Sequence, residues 1–291
     1  MDLTISPEEL EQRVKKSVTG GRELSTLWGV VQKVREITSN QRSSVKELVR
    51  VIGADSILTS KVLRFVNSAA YGFSGRISNI DQAIVILGFQ QLRDLCVSLT
   101  LIKETGGAGS RTYFDRTLLW KHSLGTAVAC KLIQERVPGA ASSNLFVAGL
   151  LCNIGRLVLD QHFPKEFEQI MKLAKEQGLR LLDAERRVFN VTHADIGCWA
   201  AQAWCLDESL AQCIRDHHGP SGNRNAAIVN LAYVLTQVAG IGSPGEETLT
   251  LLVPGVLDTL KLDETEMARL LRDLDNEYQT LEPMFKIMTE K

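Results

Sequence analysis

No apolar run in the 291 residues is long enough to span a bilayer, and the opening stretch MDLTISPEELEQRVKK lacks the apolar core of a secretory signal. These absences make a cytoplasmic protein the expectation. Net charge is nearly absent as well: 33 basic residues stand against 34 acidic ones, a formal charge of −1. Such a balance leaves no electrostatic footprint for DNA, RNA or an anionic membrane, so neither nucleic acid nor membrane is expected as a partner. The six cysteines, Cys96, Cys130, Cys152, Cys198, Cys205 and Cys213, contain no C-x-x-C pair. A thiolate metal site normally shows paired spacing, and a chain of this size needs no disulfide staples, so reduced thiols filling a core are expected. Internal repeats and low-complexity tracts are lacking too. What remains is an ordinary globular composition, 44% hydrophobic and 23% charged, over a length that suits one large or two small domains.

The patterning is helical almost throughout. Ser6-Pro7-Glu8-Glu9 places a capping serine before a proline at the first helical position, with a glutamate three residues on. Ser44-Val45-Lys46-Glu47 repeats the capping box, and Asp55 and Ser78 are candidate caps for the next two helices. Leu58, Val62, Phe65 and Ala69 lie on one helical stripe, and Ile80, Ile84 and Leu87 on another that Gly88 interrupts. Leu92, Leu95, Cys96 and Leu99 form a third, and Leu124, Val128, Lys131 and Leu132 a fourth. All follow period 3.6 and not period 2. Glycine-rich breaks fall at Gly106-Gly107-Ala108-Gly109-Ser110, at Gly219-Pro220-Ser221-Gly222-Asn223 and at Gly240-Ile241-Gly242-Ser243-Pro244-Gly245. The fold class is therefore all-α. The first break divides an N-terminal helical bundle, 1–105, from a second helical subdomain, 111–291, with C-terminal helices. The stretch from Leu262 to Arg272 is amphipathic through Leu262, Met267, Leu270 and Leu271, a stripe that packs on the body or on another subunit.

Chemistry-bearing residues are few. The histidines are His122, His162, His193, His217 and His218. Trp120-Lys121-His122-Ser123 opens a helix. About thirty residues later comes the run Ala148-Gly149-Leu150-Leu151-Cys152-Asn153-Ile154-Gly155-Arg156, with Cys152 thirty residues after His122. This framing resembles the HD superfamily of metal-dependent phosphohydrolases. There a histidine, an adjacent His-Asp pair and a distant aspartate hold a metal that polarises phosphate and activates water. Cys152 and Asn153 stand where the His-Asp pair would be. In Ile228-Val229-Asn230-Leu231-Ala232-Tyr233, Tyr233 stands where the aspartate would be. The resemblance thus maps four ligand positions onto His122, Cys152, Asn153 and Tyr233. Only His122 is a usual ligand, so no metal and no catalytic residue are expected at this degenerate site.

Two further stretches narrow the resemblance. They are Asp55-Ser56-Ile57-Leu58-Thr59-Ser60-Lys61-Val62-Leu63-Arg64-Phe65-Val66-Asn67-Ser68-Ala69-Ala70-Tyr71-Gly72 and Ile77-Ser78-Asn79-Ile80-Asp81-Gln82-Ala83-Ile84-Val85-Ile86-Leu87-Gly88. Both are similar to the HDOD (HD-related output domain) family, as are Glu185, His193, Gly197, Trp204, Leu206 and the pair His217-His218. The resemblance runs over 20–235, with departures at Asp207 and at Leu24-Ser25-Thr26-Leu27, where prolines are usual. It implies an HD-like helical core in the second subdomain. It also implies a bacterial signal-transduction output domain, a pseudoenzyme acting through signalling protein partners or a small ligand. The alternative is a metal-dependent phosphohydrolase acting on a nucleotide or cyclic dinucleotide.

Each residue also has a plainer reading. His122 reads as a buried histidine bonded to a backbone carbonyl. In the related HD-GYP domains the histidines matching His193, His217 and His218 help bind further metals. Glu185, His193, His217 and His218 are therefore a candidate residual metal or ligand site, for iron, manganese or zinc, although no cofactor is the leading expectation. Adjacent helical residues point about 100° apart, so His217 and His218 need a helix end near Gly219 to share a target. His162 reads as a helix-end residue favouring the dipole. Asn67, Ser68 and Tyr71 read either as a helix C-terminus or as an interaction surface. Trp120, Trp199 and Trp204 read as core.

Overall fold

Of the expected caps, Ser6 opens its helix and Ser78 is displaced by one residue, while Trp120-Lys121-His122-Ser123 lies inside a helix that starts at Arg116. Ser6 Oγ accepts from Glu9 N at 3.2 Å and starts α1, Pro7–Gly20. The chain then forms α2, Ser56–Val66, and α3, Ile80–Leu87. The cap of α3 is Asn79 rather than Ser78. The Asn79 backbone is extended and its side chain accepts from Gln82 N at 2.9 Å. Ser78 instead binds the Gln82 side chain from outside, through its N–H at 2.8 Å and its hydroxyl at 3.1 Å. In this computed structural model the described residues are 6–20, 49, 52–53, 56–67, 76–105, 111–137, 144–219, 223–246 and 248–289. The capping box at 44–47, the cap at Asp55 and the stripe residue Ala69 lie outside them.

Beyond α3 the chain bends by 117° at Gly88 into α4, Phe89–Thr105. There follow α5, Arg116–Arg136; α6, Leu145–Leu151; α7, Ile154–His162; and α8, Pro164–Gln177. Next come α9, Leu181–Phe189; α10, His193–Ala203; α11, Glu208–Asp216; and α12, Arg224–Val238. Two last helices, α13, Val256–Leu260, and α14, Glu264–Thr289, complete the order. Among the described residues there is no strand, only an isolated bridge between Arg111 and Phe114. No single helix there is long and apolar enough to cross a membrane.

The middle of the molecule is α5. Asp115 caps it by accepting from Thr117 N and Leu118 N, at 2.7 and 3.1 Å. Apart from Lys131 and Lys121 it is buried from Leu119 to Ile133, so it has little solvent face along most of its length. Helices α6, α12 and α14 enclose it. Helices α2, α3 and α4 pack on one another, and α4 leans on α6. Trp120 is buried, and its Nε1 donates to Thr105 Oγ1 at 3.0 Å, joining the end of α4 to α5. Helix α1 packs against α10 and α7, beyond residue 150, where Trp204 Nε1 donates to Val18 O at 3.4 Å.

The C-terminal stripe packs on the body. Leu262 and Leu270 are buried, Met267 and Leu271 are packed against the core, and Arg136 pairs with Glu266 and Asp273. Five of the cysteines are buried free thiols, as the spacing suggests. Cys205 is exposed instead, in the left-handed turn that ends α10.

Candidate functional site

Six helices and one loop bring their polar side chains to a single buried region. A capping box builds one corner: Thr192 N and Oγ1 bind Asp195 Oδ2 at 2.8 and 2.9 Å, which sets His193 as the first residue of α10. Gly155 of α7 lies directly against that residue. A Cβ on Gly155 would drive into the His193 carbonyl oxygen and sit 2.8 Å from Gly197 N, so the two backbones touch only because residue 155 has no side chain. Helix α11 ends at Asp216, and Gly219 N closes the turn on Asp216 O at 3.0 Å. This helix end lets the adjacent His217 and His218 face the same way, with ring centroids 3.9 Å apart. Asn230 of α12 steadies the turn, donating to His217 O at 2.7 Å and accepting from Val253 N at 3.1 Å.

The hydrogen bonds set the tautomers. His193 Nδ1–H donates to the Glu185 carboxylate at 2.8 Å, and His193 N donates to it as well. His217 Nδ1–H donates to Ile214 O at 2.6 Å. Each ring therefore presents Nε2 as a lone pair. Neither Nε2 has a protein partner, nor does either ring nitrogen of His218. One ligand atom from each of the three rings lies within 4.8 Å of the others. Burial keeps the imidazoles neutral, with His217 pushed down to about 4 and His193 and His218 well below the usual histidine range. Three neutral imidazoles converging on one point, one of them oriented by a buried carboxylate, suit a divalent transition metal.

Of the four mapped ligand positions, His122 and Tyr233 stand beside this cluster, Cys152 and Asn153 contact each other, and all four carry chemistry different from the pattern's. The His122 and Tyr233 rings stand edge-on at 4.7 Å, and His218 faces Tyr233 at 4.8 Å. Burial, reinforced by Arg156, pushes His122 down to about 3. Its Nε2 lies 3.4 Å from Thr126 Oγ1, and the backbone of Ile241 beside the ring works against the lowering. Tyr233 donates its hydroxyl to Glu246 Oε1 at 2.8 Å. The Cys152 thiol donates to Gly149 O at 3.2 Å, and burial raises it to about 12. Asn153 donates to Cys152 Sγ at 3.4 Å. A protonated thiol, a neutral amide and a donating phenol do not make a site for a hard dication, so this donor set does not fit the metal of the HD pattern.

Arg156 completes the arrangement. It is fully buried, and its Nη1 donates to Pro244 O at 2.6 Å and to Tyr233 Oη at 3.2 Å. Nη2 donates to Glu246 Oε1 at 2.7 Å, and Nε lies 3.6 Å from Glu185 Oε1. Burial works against the guanidinium charge, but Tyr233, Glu246 and Glu185 outweigh it and hold the cation firmly. The loop that supplies Pro244 and Glu246 is pinned at Gly242. Its φ is +61°, and a Cβ there would meet His122 N and Leu118 O.

Glu185, His193, His217 and His218 are thus brought together, and of the other four positions His122 and Tyr233 are. Asn67 is not among them: its amide donates to Leu63 O and Ile77 O and accepts from Ile77 N at 2.7 Å, tying the end of α2 to the next segment. Ser68 and Tyr71 lie outside the described residues. Sequence reasoning passed over Arg156 as part of the surrounding frame and missed Glu246 and Asn230. An arginine inside an apolar, glycine-bearing run was a signal that could have been read. Glu246, in a glycine-proline loop, offered none.

The HDOD domain family model matches residues 24–220. An uncharacterized protein of Treponema pallidum (strain Nichols) is 27% identical over 189 residues, which are 64% of this chain and 36% of that protein. Uncharacterized protein YuxH of Bacillus subtilis (strain 168) is 24% identical over 57% of this chain and 39% of its own length. The matched stretch is little more than a third of either relative. A solved HDOD domain protein of unknown function from Geobacter sulfurreducens is 26% identical, with a TM-score of 0.66 over 94% of this chain and 98% of its own. A provisionally named phosphohydrolase from Shewanella amazonensis shares the fold at 23% identity. Its TM-score is 0.68, over 95% of this chain and 98% of its own.

Proposed function

The chain belongs to the HDOD domain family, and on that premise we propose a non-catalytic signal-transduction output domain in which protein groups replace the metal of the HD pattern. The observation that carries this reading is the buried Arg156 guanidinium, bonded to Tyr233 and Glu246. A fixed cation paired with Glu246 and Glu185 supplies positive charge beside His122, and it repels a dication rather than inviting one. Output then passes through binding of a signalling protein or a small ligand. The test is hydrolysis of bis(p-nitrophenyl) phosphate with manganese, iron(II) or zinc added. The expected result is no turnover above metal and buffer alone. Turnover that follows the protein and disappears in His122→Ala would overturn the reading in favour of a phosphohydrolase.

A second reading has its own observation, the unpartnered ring nitrogens of His193, His217 and His218. In it these three hold one divalent transition ion as a structural or sensory group, with Glu185 orienting His193. Protein purified without a histidine tag should then contain iron, manganese or zinc near one per chain. His217→Ala should lose it. Metal-free protein with unchanged stability on adding each ion would rule it out.

A further inference from the structure

Outside the histidine cluster, a cavity of about 540 Å³ opens between the start of α5, the C-terminal half of α8 and the loop residues Ser243, Gly245, Glu246 and Thr248. Its walls are fixed by the protein's own packing. The Phe114 ring packs edge-on against Phe167 at 5.0 Å, with Tyr113 at 6.2 Å, and the Tyr113 hydroxyl donates to Pro164 O at 3.2 Å. On the loop side, Ser243 N donates to Leu118 O at 3.0 Å, and Gly245 N to Ser243 Oγ at 3.1 Å. Met171 and Ala174 from α8 and Leu179 beyond it extend the apolar lining. This size and mixed lining are those of a small-molecule site.

The charges around the cavity are unevenly satisfied. Arg111 is held by Asp160 at 2.8 Å, Asp115 caps α5, and Glu246 faces Arg156. Two lysines differ. Lys172 pairs with Glu168 one turn back at 2.8 Å, on an exposed face where water screens such a pair. Lys175, exposed in the last turn of α8, makes no ion pair among the described residues. Two cationic groups therefore stand at the edge of an aromatic and aliphatic wall.

We propose that this cavity binds an amphipathic organic anion, with an apolar body against Phe114, Met171 and Leu179 and an anionic head between Lys172 and Lys175. Glu246 gives the site a route inward. It lines the cavity, and its Oε1 accepts from both Arg156 and Tyr233, so an occupant that shifts the loop acts on the buried cluster through one side chain. This goes beyond the histidine-cluster readings and stands independently of them.

The experiment is a fluorescence titration of the whole chain with 8-anilinonaphthalene-1-sulfonate, an aromatic sulfonate. The expected result is saturable binding at one site per chain. Lys172→Glu with Lys175→Glu should weaken it about tenfold. Ala174→Trp, which fills the cavity from α8, should abolish it. Lys16→Glu with Arg64→Glu, the same charge change on α1 and α2, should leave affinity within about twofold. Circular dichroism confirms that each variant is folded, and the two lysines are exposed, so their variant keeps the test decisive. Binding that does not saturate, equal loss in both charge-reversal variants, or full binding in Ala174→Trp would overturn the proposal. Metal content, measured on the same samples, reports on the histidine cluster separately.

Discussion

Arg156 is a full positive charge with no exposed surface, kept in place by two carboxylates, a phenol and a carbonyl. Removing one partner of such a set leaves the others buried and unmatched, which costs about 3–5 kcal/mol. Arg156→Met should lower the urea midpoint accordingly, through Glu246 and Glu185. Adding Glu246→Gln to Arg156→Met should recover part of the loss, because it removes one of the stranded charges. Strict additivity of the two substitutions in a double-mutant cycle would mean that the 2.7 Å contact contributes nothing to stability.

Among the elements, the contact of α7 with α10 has the least tolerance. Gly155→Ala would press a methyl group into the His193 carbonyl, forcing the two helices apart. Overpacking of this kind typically costs about 1–3 kcal/mol, and here the obstacle is backbone that cannot rotate away. The unfolding midpoint should fall, and His193 should move off the shared point with His217 and His218. A Gly155→Ala variant as stable as the parent would show that the helices can separate freely. The same substitution at Gly53, which has nothing within 4 Å of the added Cβ, removes the same glycine freedom with no such clash and serves as the comparison.

Across the whole molecule, the buried imidazoles make stability depend on pH. His122 and His217 have folded values of about 3 and about 4 against an ordinary 6.5, chiefly through burial. Tyr233, Arg156 and the other histidines face them from α12, α7, α10 and α11. The unfolded chain takes up protons first, so their contribution is fully present above pH 6.5 and is lost as pH falls toward the folded values. At pH 5 each costs about 2 kcal/mol. Asp94, raised by burial to about 6, and Glu185, also raised by burial, act in the opposite sense and offset part of this. In metal-stripped protein the Tm should drop between pH 7.5 and 5, and His122→Asn should make the drop shallower. A drop left unchanged by His122→Asn would mean that this ring is protonated in the fold.

The all-helical class, the stripes of α2 to α5 and the cap at Ser6 were legible in the sequence, because period 3.6 and capping chemistry act over a few neighbouring residues. The candidate residues were legible too, since His122, Cys152, Asn153 and Tyr233 occupy marked positions in recognisable runs. Which charge would stand among them was not. Arg156 and Glu246 are separated by 90 residues and meet at 2.7 Å only when α7, α12 and the following loop are packed. The direction of His217 and His218 likewise depended on where α11 stopped, and Asn230 and Asp216 hold that turn from two different helices. Local sequence determined which elements form and which residues they carry. The tertiary structure decided the electrostatics of the site, because burial and long-range pairing set the charge of each group and no short stretch of chain contains either.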